Sequence, residues 1–241
     1  MKNQYFGDIN DYRKYGLLRL LAGVGGLRIG VAWMLTSDDG RPDEGKIDYV
    51  THPERWRRSD PDLFDFLART VTKDSTRNLT TFENAGLISQ AVYHSGLLGD
   101  SLAERGAYME SMLTKFEGLD LVFFDPDNGL EVKSRPMGRK GSSKFLGIAE
   151  ANKAFEAGMS LLIFQHFGRV KRDVYIPAQM ERLGFATGAA KVVSLATSNV
   201  LYLFALHRDH TPAVRHALRI LAERWPGQFR EASMTATSGH I

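Results

Sequence analysis

Two apolar runs dominate the hydropathy pattern of the chain. Residues 119–124 and 160–164 are predominantly apolar on both faces, and each run leads directly into polar residues. Strands buried on both faces are typical of parallel sheets, and residues 144–157, which lie between the runs, have helical character. The order strand, helix, strand predicts two parallel strands joined by a helical crossover.

The same periodicities predict the other elements. An apolar run over residues 27–35 indicates a buried strand, and runs over residues 190–196 and 200–207 are separated by a short polar connection that predicts an antiparallel hairpin. Apolar residues at helical spacing predict helices over residues 11–22, 62–71, 102–116, 170–183 and 212–225. We therefore expect an α/β three-layer sandwich with a mostly parallel sheet and a C-terminal antiparallel hairpin.

The chain length fits one domain. Its 241 residues suffice to bury one sizeable core, and we expect residues 1–230 to form a single α/β domain. Charged residues, glycine and proline without clear periodicity predict surface excursions near residues 40–62 and 133–144. The small residues of 231–241 predict a disordered tail.

Composition narrows the chemistry further. The absence of cysteine excludes a thiol nucleophile, a thiolate-bound metal and a redox pair. The net charge of +3 and the pI near 9.1 are compatible with a polyanionic partner. No run approaches the roughly 18 consecutive apolar residues of a membrane span, so we expect a cytoplasmic protein with no membrane partner.

The candidate chemistry lies where buried strands end, because ligands of open parallel sheets bind at the carboxyl ends of the strands. The run at 119–124 leads into Asp125-Pro126-Asp127-Asn128, followed by Gly129. Proline stiffens this turn and glycine permits a positive φ, so polar side chains can face a ligand. A capped turn with local hydrogen bonds is the structural alternative.

Two chemistries fit this turn. In the first, Asp125 and a neighbouring polar group accept hydrogen bonds from an exocyclic amine of a base and hold it in line with a methyl donor. In the second, Asp125, Asp127 and Glu131 bind Mg²⁺ or Mn²⁺ and Lys133 stabilises charge during phosphodiester cleavage. The second arrangement resembles part of a PD-(D/E)xK nuclease signature, although the usual spacing is longer.

A basic segment follows the turn and contains no acidic residue. Its cations, with one more after the second buried strand, are Lys133, Arg135, Arg139, Lys140, Lys144 and Arg169. Such a segment can hold the phosphates of DNA or RNA, and a solvated surface loop is the alternative.

Two further features stand beside predicted strands. His166 directly follows the run at 160–164, where it can serve as a base, as a platform for base stacking or as a half-buried structural residue. Residues 5–15 are dense in polar and aromatic side chains at the entry to the first helix. A helix cap explains only part of that density, and the remainder could line a cofactor or nucleotide pocket.

These motifs resemble a known family. The segment Gly7-Asp8-Ile9-Asn10-Asp11-Tyr12-Arg13-Lys14-Tyr15 is similar to the N-terminal segment of bacterial large-subunit ribosomal RNA adenine-N6 methyltransferases, and Asp125-Pro126-Asp127-Asn128 is similar to the Asp-Pro-Pro-Tyr motif of amino methyltransferases. The resemblance implies a Rossmann-like fold and an S-adenosylmethionine-dependent methyltransferase that acts on an exocyclic amine of a base in nucleic acid.

The resemblance also implies residue roles. Asp125 and Asn128 would hold the acceptor amine, while Asp127 or His166 would orient it or relay a proton. The donor pocket would be shaped by Asp8, Lys14, Asp38, Asp39 and Gly40. The chain departs from the family pattern after the first strand, where residues 33–40 contain one glycine, and at Asn128, where the family has an aromatic residue.

Two other functions stay open at the level of sequence. One is the metal-dependent nuclease or phosphohydrolase described above. The other is a catalytically inactive nucleic-acid-binding module that keeps the fold and the basic segment. Fold analogy does not choose among the three.

Overall fold

The computed structural model describes residues 6–37, 46–72 and 78–235. The helices are α1 (Ile9–Gly23), α2 (Pro53–Trp56), α3 (Pro61–Val71), α4 (Leu79–Asn84), α5 (Leu102–Lys115), α6 (Ile148–Glu156), α7 (Arg172–Thr187) and α8 (Thr211–Arg224). The strands are β1 (Ile29–Ala32), β2 (Val92–His94), β3 (Leu121–Phe124), β4 (Gly129–Leu130), β5 (Phe145–Leu146), β6 (Ser160–His166), β7 (Lys191–Ala196), β8 (Val200–Leu206) and β9 (Arg230–Thr235).

Seven strands form one sheet in the order β2-β1-β3-β6-β8-β7-β9. The first four are mutually parallel, with Val31 of β1 opposite Phe123 of β3 and Phe123 opposite Leu162 of β6. Strand β8 runs antiparallel to β6 and β7, and β7 runs antiparallel to β9. Strand β7 therefore points the same way as β6, so the sheet is mostly parallel with an antiparallel C-terminal end.

Helices cover both faces of the sheet. Phe123 belongs to the core beneath α1, α3 and α8, whereas its neighbours Val122 and Phe124 belong to the core beneath α5, α6 and α7. This alternation follows from the two-residue period of a strand. All three side chains are fully buried, and burying an apolar side chain of this size contributes roughly 1.5–3 kcal/mol. The chain is a Rossmann-like three-layer α/β sandwich.

Strand β1 is shorter than its apolar run predicts. The N–H of Trp33 still donates to the carbonyl of His94 at 3.2 Å, and Met34 then takes a positive φ of 49°. Leu35 then makes a single parallel bridge with Leu97. The apolar character of this end thus reflects burial in irregular backbone rather than a longer strand.

Within the described part of the predicted surface excursion near residues 40–62, most residues are exposed or half-buried, and much of the backbone is helical. Residues 48–59 form α2 and two flanking 3-10 helices, Asp48–Thr51 and Arg57–Ser59. Tyr49 and Trp56 are 4% and 8% exposed and join the core beneath α1. The apolar side chains are too sparse for a periodic signal, yet they anchor the segment.

The predicted disordered tail is wrong where the structure describes it. Residues 230–235 form β9 and pair with β7 through six residue pairs. Residues 230–235 are charged, polar or small apart from one methionine, and they gave no strand signal. An edge strand that is hydrogen-bonded to β7 needs few apolar side chains. Residues 236–241 lie outside the described residues.

The basic segment at 133–144 is attached to the domain through its second half. Asp100 accepts hydrogen bonds from the backbone N–H groups of Gly141 and Ser143, both at 2.8 Å. Arg105 is 2% exposed, pairs with Glu150 and donates to the carbonyl of Ser142 at 3.0 Å.

No helix within residues 6–37, 46–72 and 78–235 is long and apolar enough to cross a membrane.

Candidate active site

The site is built where α1 meets the carboxyl end of β3. Lys14 Nζ lies 2.7 Å from Asp125 Oδ2 and 2.8 Å from Asp11 Oδ1. Lys14, Asp11 and Asp125 are each between 2% and 3% exposed. The three-residue spacing of Asp11 and Lys14 places both on one face of α1, so a single helical turn presents the pair to Asp125.

Lys14 keeps its charge in this buried position. Burial lowers its pKa, but the carboxylates of Asp11 and Asp125 outweigh burial and raise the pKa above its usual range. The ammonium also lies 4.7 Å from the ring centroid of Phe164 on β6, which adds a cation–π contact. For Asp125, burial outweighs the attraction of Lys14, and the pKa is raised.

The first turn of α1 is fixed by its own carboxylates. Asp8 is the N-cap and accepts from the backbone N–H groups of Asn10 and Asp11 at 2.8 and 2.9 Å. Asp11 Oδ2 accepts from the N–H of Gly7 at 2.9 Å and from the hydroxyl of Tyr15 at 3.2 Å. The capping interpretation of Asp8 is thus confirmed, and Asp11 links the turn to Lys14.

Two polar groups of this turn are incompletely compensated by their described neighbours. Burial and the charge of Asp11 raise the pKa of Asp8 to about 6. Asn10 Oδ1 is buried and accepts no hydrogen bond within the described residues. A buried acceptor without a donor is unfavourable by about 1–3 kcal/mol, and a ligand with a positively charged N–H group would relieve both features.

The turn after β3 separates buried from exposed side chains. Asp125 is 2% exposed, whereas Asp127 is half-buried and Asn128 is exposed. Asp127 Oδ2 accepts from the hydroxyl of Thr36 at 2.8 Å, which ties the turn to the end of β1. The backbone N–H of Asn128 donates to the carbonyl of Lys144 at 2.9 Å.

Gln165 fixes the backbone of this turn. Its side chain is 4% exposed, its Oε1 accepts from the N–H of Leu130 at 2.8 Å, and its Nε2 donates to the carbonyl of Asn128 at 3.1 Å. Nε2 also lies 2.8 Å from the hydroxyl of Tyr175. Gly129 has φ 108°, and a Cβ there would lie 2.3 Å from the Gln165 carboxamide. Glycine is therefore required for the close approach of the turn to Gln165.

His166 stands beside the turn at the carboxyl end of β6. Its backbone N–H donates to the carbonyl of Asn128 at 3.3 Å, and its ring lies edge-on to Phe164 with centroids 5.1 Å apart. The ring is exposed, but the surrounding protein and the charge of Lys14 lower its pKa below 6.5, with Asp127 opposing. At neutral pH the ring is therefore neutral and can accept a proton.

Met34 lies just after β1. The family that the chain resembles has a glycine-rich loop at this place. Its side chain is fully buried, its φ is 49°, and its backbone N–H donates to the hydroxyl of Tyr108 at 3.1 Å. Non-glycine residues in this conformation are uncommon and concentrate at functional sites. The chain therefore reaches a glycine-like backbone conformation without the glycine signal in the sequence.

The structure brings together most of the predicted site. Lys14, Asp125, Asp127 and His166 meet at the carboxyl ends of β3 and β6, with Asn128 at the same turn and Asp8 at the N-cap of α1, six residues before Lys14. Asp38, Asp39 and Gly40 lie outside the described residues. Sequence reasoning missed Gln165, for which a polar residue inside a buried apolar strand was the available signal.

Glu131 is held elsewhere. Its side chain pairs with Arg182 of α7 at 3.1 Å, and Arg182 also donates to the carbonyl of Glu131 at 2.6 Å. Within residues 6–37, 46–72 and 78–235, no three His, Asp or Glu side chains converge as a metal site requires. The arrangement expected for the metal-dependent alternative, with Asp125, Asp127 and Glu131 together, is not formed.

The basic residues predicted to bind phosphate differ in exposure. Lys144 is half-buried; the exposed cations are Lys133, Arg135, Arg139, Lys140 and Arg169. The backbone bond from Asn128 to Lys144 places the end of the basic segment beside the candidate site. Exposed cations at this edge suit a polyanionic ligand.

Comparison with known proteins adds a distant structural similarity. No family model matches the chain, and no curated protein matches it. A crystal structure of a Legionella pneumophila protein with the family designation DUF519 is 13% identical, with a TM-score of 0.45, over 97% of this chain and 98% of that one. A likeness at this level carries no argument about the activity of the chain.

Proposed function

We propose that the chain is an S-adenosylmethionine-dependent methyltransferase that acts on an exocyclic amine of a base in nucleic acid. The observation that carries the proposal is the 2.7 Å ion pair between Lys14 and Asp125. It joins the two segments on which the resemblance to amino methyltransferases rests, although they are 111 residues apart in sequence.

The first turn of α1 fits the methyl donor. S-adenosylmethionine carries a sulfonium and an α-ammonium, and this end of α1 offers the carboxylate of Asp8 and the unsatisfied Oδ1 of Asn10. Asp8 and Asn10 would accept hydrogen bonds from the ammonium. The positive φ of Met34 supports close approach of the backbone at the end of β1.

The turn after β3 fits the acceptor. When bound, S-adenosylmethionine supplies a sulfonium methyl group, so transfer breaks the S–C bond, forms an N–C bond and leaves the amine nitrogen with one proton to lose. Asn128, which is exposed, would accept a hydrogen bond from the amine, and Asp127 would orient it. His166, neutral at pH 7, would take the released proton directly or through water.

Asp125 takes a positioning role in this proposal. Its carboxylate is buried and paired with Lys14, so it holds α1 and the turn in register rather than binding the amine itself. The exposed basic residues would hold the phosphates of the substrate. The observed Arg182 contact of Glu131 favours this proposal over metal-dependent cleavage.

The test is methyl transfer to nucleic acid. Purified protein is incubated with methyl-labelled S-adenosylmethionine and total RNA or DNA, and the digested nucleosides are separated and identified by mass. Wild type should label one modified base, Asn128→Ala should lose most of that label, and Asn152→Ala on α6 should keep it. Mn²⁺-dependent cleavage without label would favour the nuclease, and salt-sensitive binding without either reaction would favour the inactive module.

A further inference from the structure

A cleft lies beside α1, on residues that the proposed chemistry does not use. It has a volume of about 230 Å³, with Tyr49 and Trp56 as its buried floor and Lys46, His52 and Arg55 among its exposed walls. Ligand pockets for whole small molecules occupy about 300–1,000 Å³, so this cleft suits one unit of a larger ligand.

The charges in the cleft favour an anion. Within the described residues, neither Lys46 nor Arg55 has a carboxylate within ion-pair distance, whereas Arg57 in the same segment is paired with Asp65 at 2.7 Å. Asp48 also lines the cleft, and His52 Nδ1 lies 3.5 Å from Glu54. Two permanent cations and one carboxylate therefore line the cleft.

Arg55 is oriented before any ligand arrives. Its guanidinium carbon lies 4.9 Å from the ring centroid of Trp56, on which it stacks. Trp56 in turn accepts, through its carbonyl, a 2.8 Å hydrogen bond from the hydroxyl of Tyr12. A planar guanidinium held in this way is suited to bidentate contact with phosphate oxygens.

The cleft is rigidly joined to the candidate active site. The backbone N–H of Ile9 donates to the carbonyl of Lys46 at 3.1 Å, and the hydroxyl of Tyr49 donates to the carbonyl of Gly7 at 3.0 Å. Gly7 and Ile9 flank Asp8, the N-cap of α1. A chain of nucleotides whose target base reaches the turn at Asp125 can therefore pass this cleft with a neighbouring phosphate.

We propose that the cleft between Lys46 and Arg55 binds one phosphodiester of the nucleic-acid substrate, outside the nucleotide that is modified. This inference rests on the proposed function for its choice of nucleic acid. The aromatic floor would contact the adjoining sugar, and the two cations would contact the phosphate oxygens.

The test measures binding of a short fluorescein-labelled single-stranded RNA to the full chain by anisotropy, between about 50 and 200 mM salt. Arg55→Ala and Lys46→Ala should each weaken binding several-fold at the lower salt concentration. Each should also reduce the slope of log K against log salt, by about 0.7 for one phosphate contact on a single strand. Arg58→Ala removes an equally exposed arginine that does not line the cleft, and it should change neither quantity comparably.

The outcomes separate this inference from the proposed function. If wild type binds RNA and Arg55→Ala behaves like Arg58→Ala, the cleft inference alone is overturned. If wild type binds no RNA, both the inference and the nucleic-acid part of the proposed function fail. A parallel titration with AMP distinguishes the source of phosphate: loss of AMP binding with unchanged RNA binding in Arg55→Ala would make the cleft a free-nucleotide site and overturn the inference.

Discussion

Lys14 and Asp125 form a buried ion pair, with Nζ and Oδ2 2.7 Å apart, across 111 residues of sequence. The pair holds the first helix against the carboxyl end of β3. The Lys14 ammonium also lies 2.8 Å from Asp11 Oδ1, so it balances the charge of two carboxylates. Both the stability of the fold and the geometry of the proposed site therefore depend on this one ammonium.

Replacing Lys14 should destabilise the protein strongly. Lys14→Met leaves the buried carboxylates of Asp11 and Asp125 without this counter-ion, and removal of one partner of a buried pair destabilises by about 3–5 kcal/mol. The free energy of unfolding from urea denaturation measures the loss. Arg57→Met, which breaks the exposed pair with Asp65, is the control and should have little effect; equal losses would contradict the account.

The turn at Gly129 should not tolerate a side chain. Gly118→Ala tests the positive φ alone, since φ there is 75° and no atom lies within 4 Å of an added Cβ, and it should destabilise by about 1–2 kcal/mol. Gly129→Ala should add about 1–3 kcal/mol because the Cβ meets Gln165. Urea denaturation of both variants gives the comparison, and equal losses would show that Gln165 does not constrain the turn.

Asp8 should make stability depend on pH in a defined direction. Its pKa is about 6 in the folded chain and 3.8 for an unperturbed carboxyl, so the folded state is favoured while Asp8 is protonated. That contribution is complete below about pH 4 and is lost as pH rises through 6. Asp8→Asn keeps a good N-cap but removes the titration. Its stability relative to wild type should therefore improve between pH 4 and 7; a constant difference would contradict the assignment.

His166 should set the acid limb of the methyl-transfer reaction. Because its pKa lies below 6.5, the rate should fall as pH decreases through that pKa and the imidazole becomes protonated. His166→Gln should reduce the rate about 10²–10⁴-fold and remove this limb. His216→Gln, on the exposed side of α8, should leave both unchanged. An unaltered pH profile in His166→Gln would exclude the proton-transfer role.

The sequence predicted the layers of the fold better than its edges. The buried strands β3 and β6 were predicted because each is a short run that is apolar on both faces. The hairpin of β7 and β8 was predicted from the short polar connection between them. Strand β9 was missed because its pairing with β7 is a tertiary contact without an apolar signal. The insertion of β8 between β6 and β7 is likewise set by packing rather than by local pattern.

The sequence could predict those site residues whose location depends only on their position at the end of a strand. The rule that ligands bind at strand ends selects Asp125 and His166, and the structure places both at that edge. The sequence did not predict which side chains form ion pairs with one another. Glu131 pairs with Arg182, and Lys14 pairs with both Asp11 and Asp125. Such choices depend on distances between elements that are remote in the chain.

The most direct test of the central claim is a calorimetric titration of S-adenosylmethionine into the purified protein. The account predicts saturable binding near micromolar, about −8 kcal/mol, and weaker binding to Asn10→Leu, which removes the unsatisfied acceptor. Asn152→Leu is the matched control and should bind like wild type. Absence of binding by wild type even near millimolar donor would contradict the methyltransferase proposal.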